Sequence, residues 1–201
     1  MKSHDRLMPR GVAPGRIGGM SAPAGTVTAG AIVRHAEYPQ WGRGYVIRAT
    51  KRATTVFFHW AGKRQIPASE ALEPARPVGV EADLFALCAE VPTQSWSRGH
   101  HTVYAVELDS AVLNNRAFKN RNPGAAAGVY LYVGVTGLAP EARFERHLAG
   151  TQSARLVKRY GRRLRLDLVE GYSRLPFTIA AWMEPKLAAW FRAQGFGVWQ
   201  N

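Results

Sequence analysis

Apolar positions between Gly30 and Leu72 fall in short β-type runs separated by turn residues: Ala31 to His35, Gly44 to Ala49, Thr54 to Trp60 and Lys63 to Ile66. Gly42 and Gly44 punctuate the first gap, and Ala61-Gly62-Lys63 reads as a hairpin. A small barrel or curled sheet is expected. Helical spacing first appears at Val80 to Glu90, where Val80, Leu84, Leu87 and Cys88 share a face, between connectors at Glu73 to Pro77 and Pro92 to Gly99. Thr102 to Leu108 alternates as a strand, and Asp109 to Ala127 is a long polar connection. Val129 to Val135 reads as a buried strand that turns at Thr136-Gly137 into a helix opened by Pro140. In that helix Arg143 and His147 share one face, while Phe144 and Leu148 share the neighbouring one.

The remaining pattern predicts a helix from Thr151 to Tyr160, stopped by Gly161, a third strand from Arg162 to Val169, and a last helix from Thr178 to Gln194. That last helix is apolar at Ile179, Trp182, Met183, Leu187, Trp190 and Phe191. Glu184 lies off the centre of the stripe, with Ala180, Ala181 and Ala188 a turn away. Pro185 removes a backbone hydrogen bond and costs about 3 kcal/mol in an unadapted helix, so a kink or a helix start is expected beside Glu184.

Composition narrows the function classes. Lys and Arg number 27 against 14 Asp and Glu, a formal net charge of +13, which favours a polyanionic partner, nucleic acid first. Six cations crowd into Arg155, Lys158, Arg159, Arg162, Arg163 and Arg165, a phosphate-tracking surface in prospect. Arg116, Lys119 and Arg121 lie in the amide-rich connection and could reach a groove. In the first half, Arg48, Lys51, Arg52, Lys63 and Arg64 cluster near predicted turns, and Trp41, Tyr45, Phe57, Phe58 and Trp60 are expected mostly in the core. The lone cysteine, Cys88, excludes an internal disulfide and falls on an apolar face, so a packed thiol and a reducing, cytoplasmic setting are expected. No apolar run approaches the roughly 18 to 20 residues that a membrane helix needs, and no membrane partner is expected. Residues 1–26 mix Gly, Pro, Ala and isolated charges without periodicity, and read as a disordered tail without the apolar core of a secretory signal.

Several of these residues carry a resemblance. The strand ending Tyr132-Val133-Gly134, Arg143 in the following helix, the earlier strand with Tyr104 in Thr102-Val103-Tyr104, and Glu184 in a later helix together resemble the GIY-YIG nuclease family, over Gly99 to Asn201. The run Tyr132 to Lys158 is similar to a bacterial branch reading YVG-x-TG-x-x-P-x-x-RF-x-x-H. Gly128-Val129-Tyr130 also spells the first tripeptide, but it runs directly into Tyr132 and cannot be a separate strand. The sequence departs from the family in having no glycine in the first tripeptide and no asparagine shortly after the last helix. The order Val33-Arg34-His35, Trp41-Gly42-Arg43-Gly44, Val56-Phe57-Phe58, Gly62-Lys63 resembles the SH3-like or Tudor-like modules of bacterial CarD-type and helicase-appended domains.

The resemblance implies an α+β protein: a tail over 1–26, an SH3-like β-barrel over 27–75, a linker with a short helix over 76–98, and a GIY-YIG-like α/β domain with a small mixed sheet and flanking helices over 99–201. It implies metal-dependent endonuclease activity on DNA. One of Tyr104 and Tyr132 would help deprotonate a water, Arg143 would stabilise the phosphate, His147 would relay a proton or hold the attacking water, and Glu184 would ligate Mg²⁺ or Mn²⁺. The barrel would contact nucleic acid or a transcription or repair protein. Two rivals remain open: a non-catalytic nucleic-acid clamp on the same scaffold, and a protein-only adaptor.

Overall fold

The computed structural model describes residues 27–125, 127–151 and 154–200, so the tail expected over 1–26 lies outside the described residues. The chain divides into two compact units, residues 1–93 and 94–201. Both mix helix and sheet.

The first unit is a five-stranded antiparallel sheet of β1 (Ile32–His35), β2 (Arg43–Ala49), β3 (Ala53–Phe58), β4 (Gly62–Pro67) and β5 (Leu72–Pro74), in the order β4-β3-β2-β1-β5. Val33, Val46, Val56, Phe58, Ala61 and Ile66 form its core. The strand runs are legible because alternation drives them, and Gly44 serves a packing need: a Cβ there would lie 2.5 Å from Val56 Cγ1. Among the described residues no pairing joins β4 to β5, and β4 ends in Pro67, which has no N–H to offer. The expected closure into a barrel is therefore not present in the strand pairing. Phe57 and Phe58 are buried as expected, whereas Trp60 is exposed.

Helix α1 (Val80–Glu90) was expected inside a linker, but it packs against β2. Its buried Glu81 accepts hydrogen bonds from the Arg43 guanidinium (3.1 Å) and from the Val78 N–H (3.1 Å), fixing the helix start to the sheet. Cys88 is fully buried, and desolvation pushes its thiol up to about 12, so it is the packed thiol its apolar face suggested.

In the second unit, after α2 (Thr93–Arg98), the sheet has the order β8-β6-β7-β9, from β6 (Thr102–Leu108), β7 (Tyr130–Thr136), β8 (Gly161–Leu164) and β9 (Gly197–Trp199). The sheet is mixed: β6 pairs antiparallel with β7 and β8, and β9 runs parallel to β7. Helices α4 (Pro140–Ala149) and α5 (Arg155–Tyr160) pack on β6 and β8, and α6 (Phe177–Ala193) packs on β6, β7 and β9.

Three expectations change here. The third strand stops at Leu164, and Leu166–Val169 is a 3-10 turn; the Arg165 N–H still donates to Ala105 O (2.8 Å), while its guanidinium binds Glu107 (3.0 Å) and Asp167 (2.8 Å) across this bend. The connection from Asp109 to Ala127 is not a loop: it holds a 3-10 turn and α3 (Arg116–Arg121), capped by the side chains of Asp109 and Asn115 and anchored by buried Val112 and Phe118. Finally, α6 runs unbroken through Pro185, which is exposed.

Asn122, just past α3, joins this segment to the sheet. Its Nδ2 donates to Phe118 O (2.9 Å) and its Oδ1 accepts from Val198 N–H (2.7 Å), so it holds β9 in place. Replacing Asn122 by Ala orphans a buried backbone N–H and should destabilise the unit by about 1–3 kcal/mol, read as a lower urea midpoint with selective loss of amide protection at Val198.

Candidate active site

The antiparallel register of β6 and β7 sets Tyr104 opposite Gly134, two residues past Tyr132 on the same strand. Side chains alternate along strands, so Tyr104, Tyr132 and Gly134 share one face. A Cβ at Gly134 would lie 2.8 Å from Tyr132 Cε1 and 3.1 Å from Tyr104 Oη. Only glycine lets both hydroxyls lie against the β7 backbone. The two rings are 6.0 Å apart, and each lies near the His147 ring, Tyr104 at 6.1 Å and Tyr132 at 5.7 Å.

His147 is fully buried and both ring nitrogens are engaged. The backbone N–H of Ala154 donates to Nδ1 (2.9 Å), and Nε2 lies 2.7 Å from Tyr104 Oη. Because Nδ1 accepts, the proton of the neutral ring sits on Nε2 and is donated to Tyr104. Desolvation, with a further push from the Arg143 charge, lowers the His147 pKa to about 4, so the ring is neutral at pH 7. No nitrogen is left to hold a water. The ring instead fixes the position and hydrogen bonding of Tyr104.

The two tyrosines are thereby made unequal. Burial raises both pKa values. For Tyr104, hydrogen bonds from Arg143 and Tyr132 and the Arg143 charge pull the other way, while the Glu184 charge adds to the rise. Tyr132 is raised further by the charge of Tyr104, by donating to it and by Glu184. His147 Nε2–H, Arg143 and Tyr132 O–H all act on the Tyr104 oxygen, and the pull of Arg143 and Tyr132 offsets part, but not all, of the desolvation that keeps its pKa above the ordinary value. Tyr104 is the better candidate base, and Tyr132 is a donor to it.

Arg143 and Glu184 are half-buried, in contrast to Tyr104 (1% exposed) and Tyr132 (3%), so these two meet a ligand first. Glu184 is presented by α6 between Ala180 and Ala188. Burial raises its carboxyl pKa, and among the described residues it forms no ion pair. No group of three or more His, Cys, Asp or Glu gathers among the described residues. A single desolvated carboxylate lacking a partner cation fits Mg²⁺ or Mn²⁺, which keep most of their waters and take one or two carboxylates.

The candidate phosphate-binding cations divide into two groups. Arg162 is ion-paired with Asp109, and Arg163 (2.9 Å) shares Glu107 with Arg165, so much of the β8 charge is neutralised. Arg121 lies over the Trp199 ring (4.1 Å) and donates to Gln200 O. Arg155, Lys158 and Arg159 on α5, and Arg116 and Lys119 on α3, are exposed and form no ion pair among the described residues. The structure brings Tyr104, Tyr132 and His147 into mutual contact, with Arg143 and Glu184 within electrostatic reach of both tyrosines; sequence reasoning missed Gly134 as a steric requirement and Ala154 as the amide that sets the histidine tautomer.

A neutral buried histidine links stability to pH. The unfolded ring titrates near 6.5 and the folded one near 4, so only the unfolded state gains a proton between these values. Stability of the second unit should therefore be independent of this group above about pH 6.5 and fall progressively as pH drops toward 4. Urea midpoints measured across that window should show the fall, and a His147→Gln variant should show less of it.

Residues 27–72, less than half of the chain, match a family described as proteins of unknown function, DUF3553. The matched segment spans β1 through the first residue of β5. No curated protein and no solved structure matches the chain.

Proposed function

We propose that the second unit is a metal-dependent endonuclease of GIY-YIG type that hydrolyses phosphodiester bonds in DNA. The observation that carries this reading is the buried Tyr104 Oη held 2.7 Å from His147 Nε2, with Arg143, Tyr132 and the desolvated carboxylate of Glu184 all close enough to act on its ionisation. Tyr104 accepts the proton of the attacking water, while His147 and Tyr132 hold its oxygen in place and stabilise its anionic form. Arg143, planar and always charged, donates to the phosphate as negative charge builds there. Glu184 holds Mg²⁺ or Mn²⁺, which when bound supplies Lewis-acid polarisation of a phosphate oxygen. The unit carries 15 Lys and Arg against seven Asp and Glu, and the unpaired cations of α5 and α3 supply the longer-range attraction to the backbone.

The first unit, read as a small SH3-like module, adds a second contact to nucleic acid or to a transcription or repair protein, and pairing two weak contacts raises avidity. Its exposed Tyr38, stacked at 4.4 Å on Trp41, is the surface feature that suits such a contact. The near-complete burial of the Tyr104 and Tyr132 rings favours a second reading, a nucleic-acid clamp that binds without cutting.

Cleavage of mixed DNA and RNA substrates with Mg²⁺ or Mn²⁺ separates the two. On the nuclease reading, Glu184→Ala and Arg143→Ala each lower the rate by about a hundred-fold or more while binding persists. Tight binding without any cutting in the wild type establishes the clamp. The pH profile tests the base independently: with the Tyr104 pKa above its ordinary 10.0, the rate should keep rising through about pH 9, and a plateau near neutrality would assign the base elsewhere.

A further inference from the structure

Phe177 is the first residue of α6 and is 60% exposed, although the face of the helix that it shares is otherwise lined by small side chains. Phe177 and Glu184 are seven residues apart, so they lie at one side of the helix, two turns from each other, with the buried Ala180 and the half-buried Ala181 between them. Along the axis that is about 10 Å, the length of about three base steps in a duplex. The Phe177 ring is not isolated. His101 lies 5.0 Å from it, His100 lies 4.2 Å from His101, and Leu138, 38% exposed, follows the turn that closes β7. A Cβ at Gly137 would meet both imidazoles at 3.3 Å, so that turn passes directly beside them. Burial, and then the neighbouring His100, lowers the His101 pKa, which leaves its ring neutral at pH 7.

A polynucleotide whose scissile phosphate reaches Glu184 must continue past the site, and about 10 Å away, at the start of the same helix, stands an exposed aromatic ring. Phosphates gain little from such a surface, whereas nucleobases gain from stacking on it. The bases of a continuous duplex hide their faces against their neighbours, so only an unpaired base can use the platform. We propose that Phe177, with His101 beside it, stacks an unpaired nucleobase within about three nucleotides of the scissile phosphate, which makes single-stranded or branched nucleic acid the substrate class of this site.

The inference rests on the nucleic-acid reading of the second unit, and its test is a binding measurement that needs no turnover. Full-length protein in EDTA is titrated with single-stranded DNA carrying 2-aminopurine at successive positions, and with the matching duplex. The wild type should change the fluorescence at one or two adjacent positions of the single strand. Phe177→Ala and Phe177→Leu should both abolish that change and weaken single-strand binding by roughly ten-fold, leaving duplex affinity unchanged, and Phe177→Trp should restore both. Leucine keeps the apolar surface without a π-face, so wild-type behaviour in Phe177→Leu overturns the stacking claim. Equal losses on single strand and duplex also overturn it. If Phe177-dependent fluorescence changes persist but the cleavage assay shows no turnover, the nuclease reading falls and the platform stands. Cutting that neither variant alters, without a fluorescence change, removes the platform and leaves the nuclease.

Discussion

The second unit is organised around a short chain of hydrogen bonds: Ala154 N–H to His147 Nδ1, and His147 Nε2–H to Tyr104 Oη. Each link depends on a different part of the fold. The Ala154 amide is available because α5 begins just beyond it, His147 is delivered by α4 one turn after Arg143, and Tyr104 reaches it from β6, one of the two interior strands of the sheet. Gly134 completes the arrangement by leaving room for both hydroxyls. A side chain there would separate the tyrosines from the strand, and a break in any link would leave a buried polar group without a partner, at about 1–3 kcal/mol each.

Electrostatics sharpen the picture in a way that counting charges does not. The formal charge of +13 suggests a uniformly basic surface, yet Arg162, Arg163 and Arg165 are largely spent on Glu107, Asp109 and Asp167. These pairs fasten β8 and the following turn to β6. In the second unit the exposed cations of α5 and α3 form no ion pair among the described residues, and an aromatic cluster lies at the start of α6. A surface divided between cations and rings suits a ligand that is itself divided between phosphates and bases.

Much of this was legible in the sequence where local pattern and tertiary role agree. The alternation of Thr102–Leu108 and the helical spacing of Val80–Glu90 returned those elements with their boundaries, and spacing alone put Arg143 and His147 on one face. The segment after Asp109 was misread because only Val112 and Phe118 anchor it, too few to show a period, although Asp109 and Asn115 were the capping signals to read. Pro185 misled in the opposite direction: with its ring exposed and the helix supported by packing on both sides of it, the local penalty did not break α6. The tautomer of His147 was not legible at all, since it is set by a backbone amide seven residues away whose position depends on the tertiary turn between α4 and α5.

That tautomer is also the most direct point of test. Long-range ¹H–¹⁵N NMR of the imidazole rings, with His147→Gln used to assign the His147 signals, should show a neutral ring protonated on Nε2 at pH 7, remaining so down to about pH 4. A ring protonated on Nδ1, or an imidazolium at pH 7, would contradict the hydrogen-bond chain on which the assignment of Tyr104 as base depends.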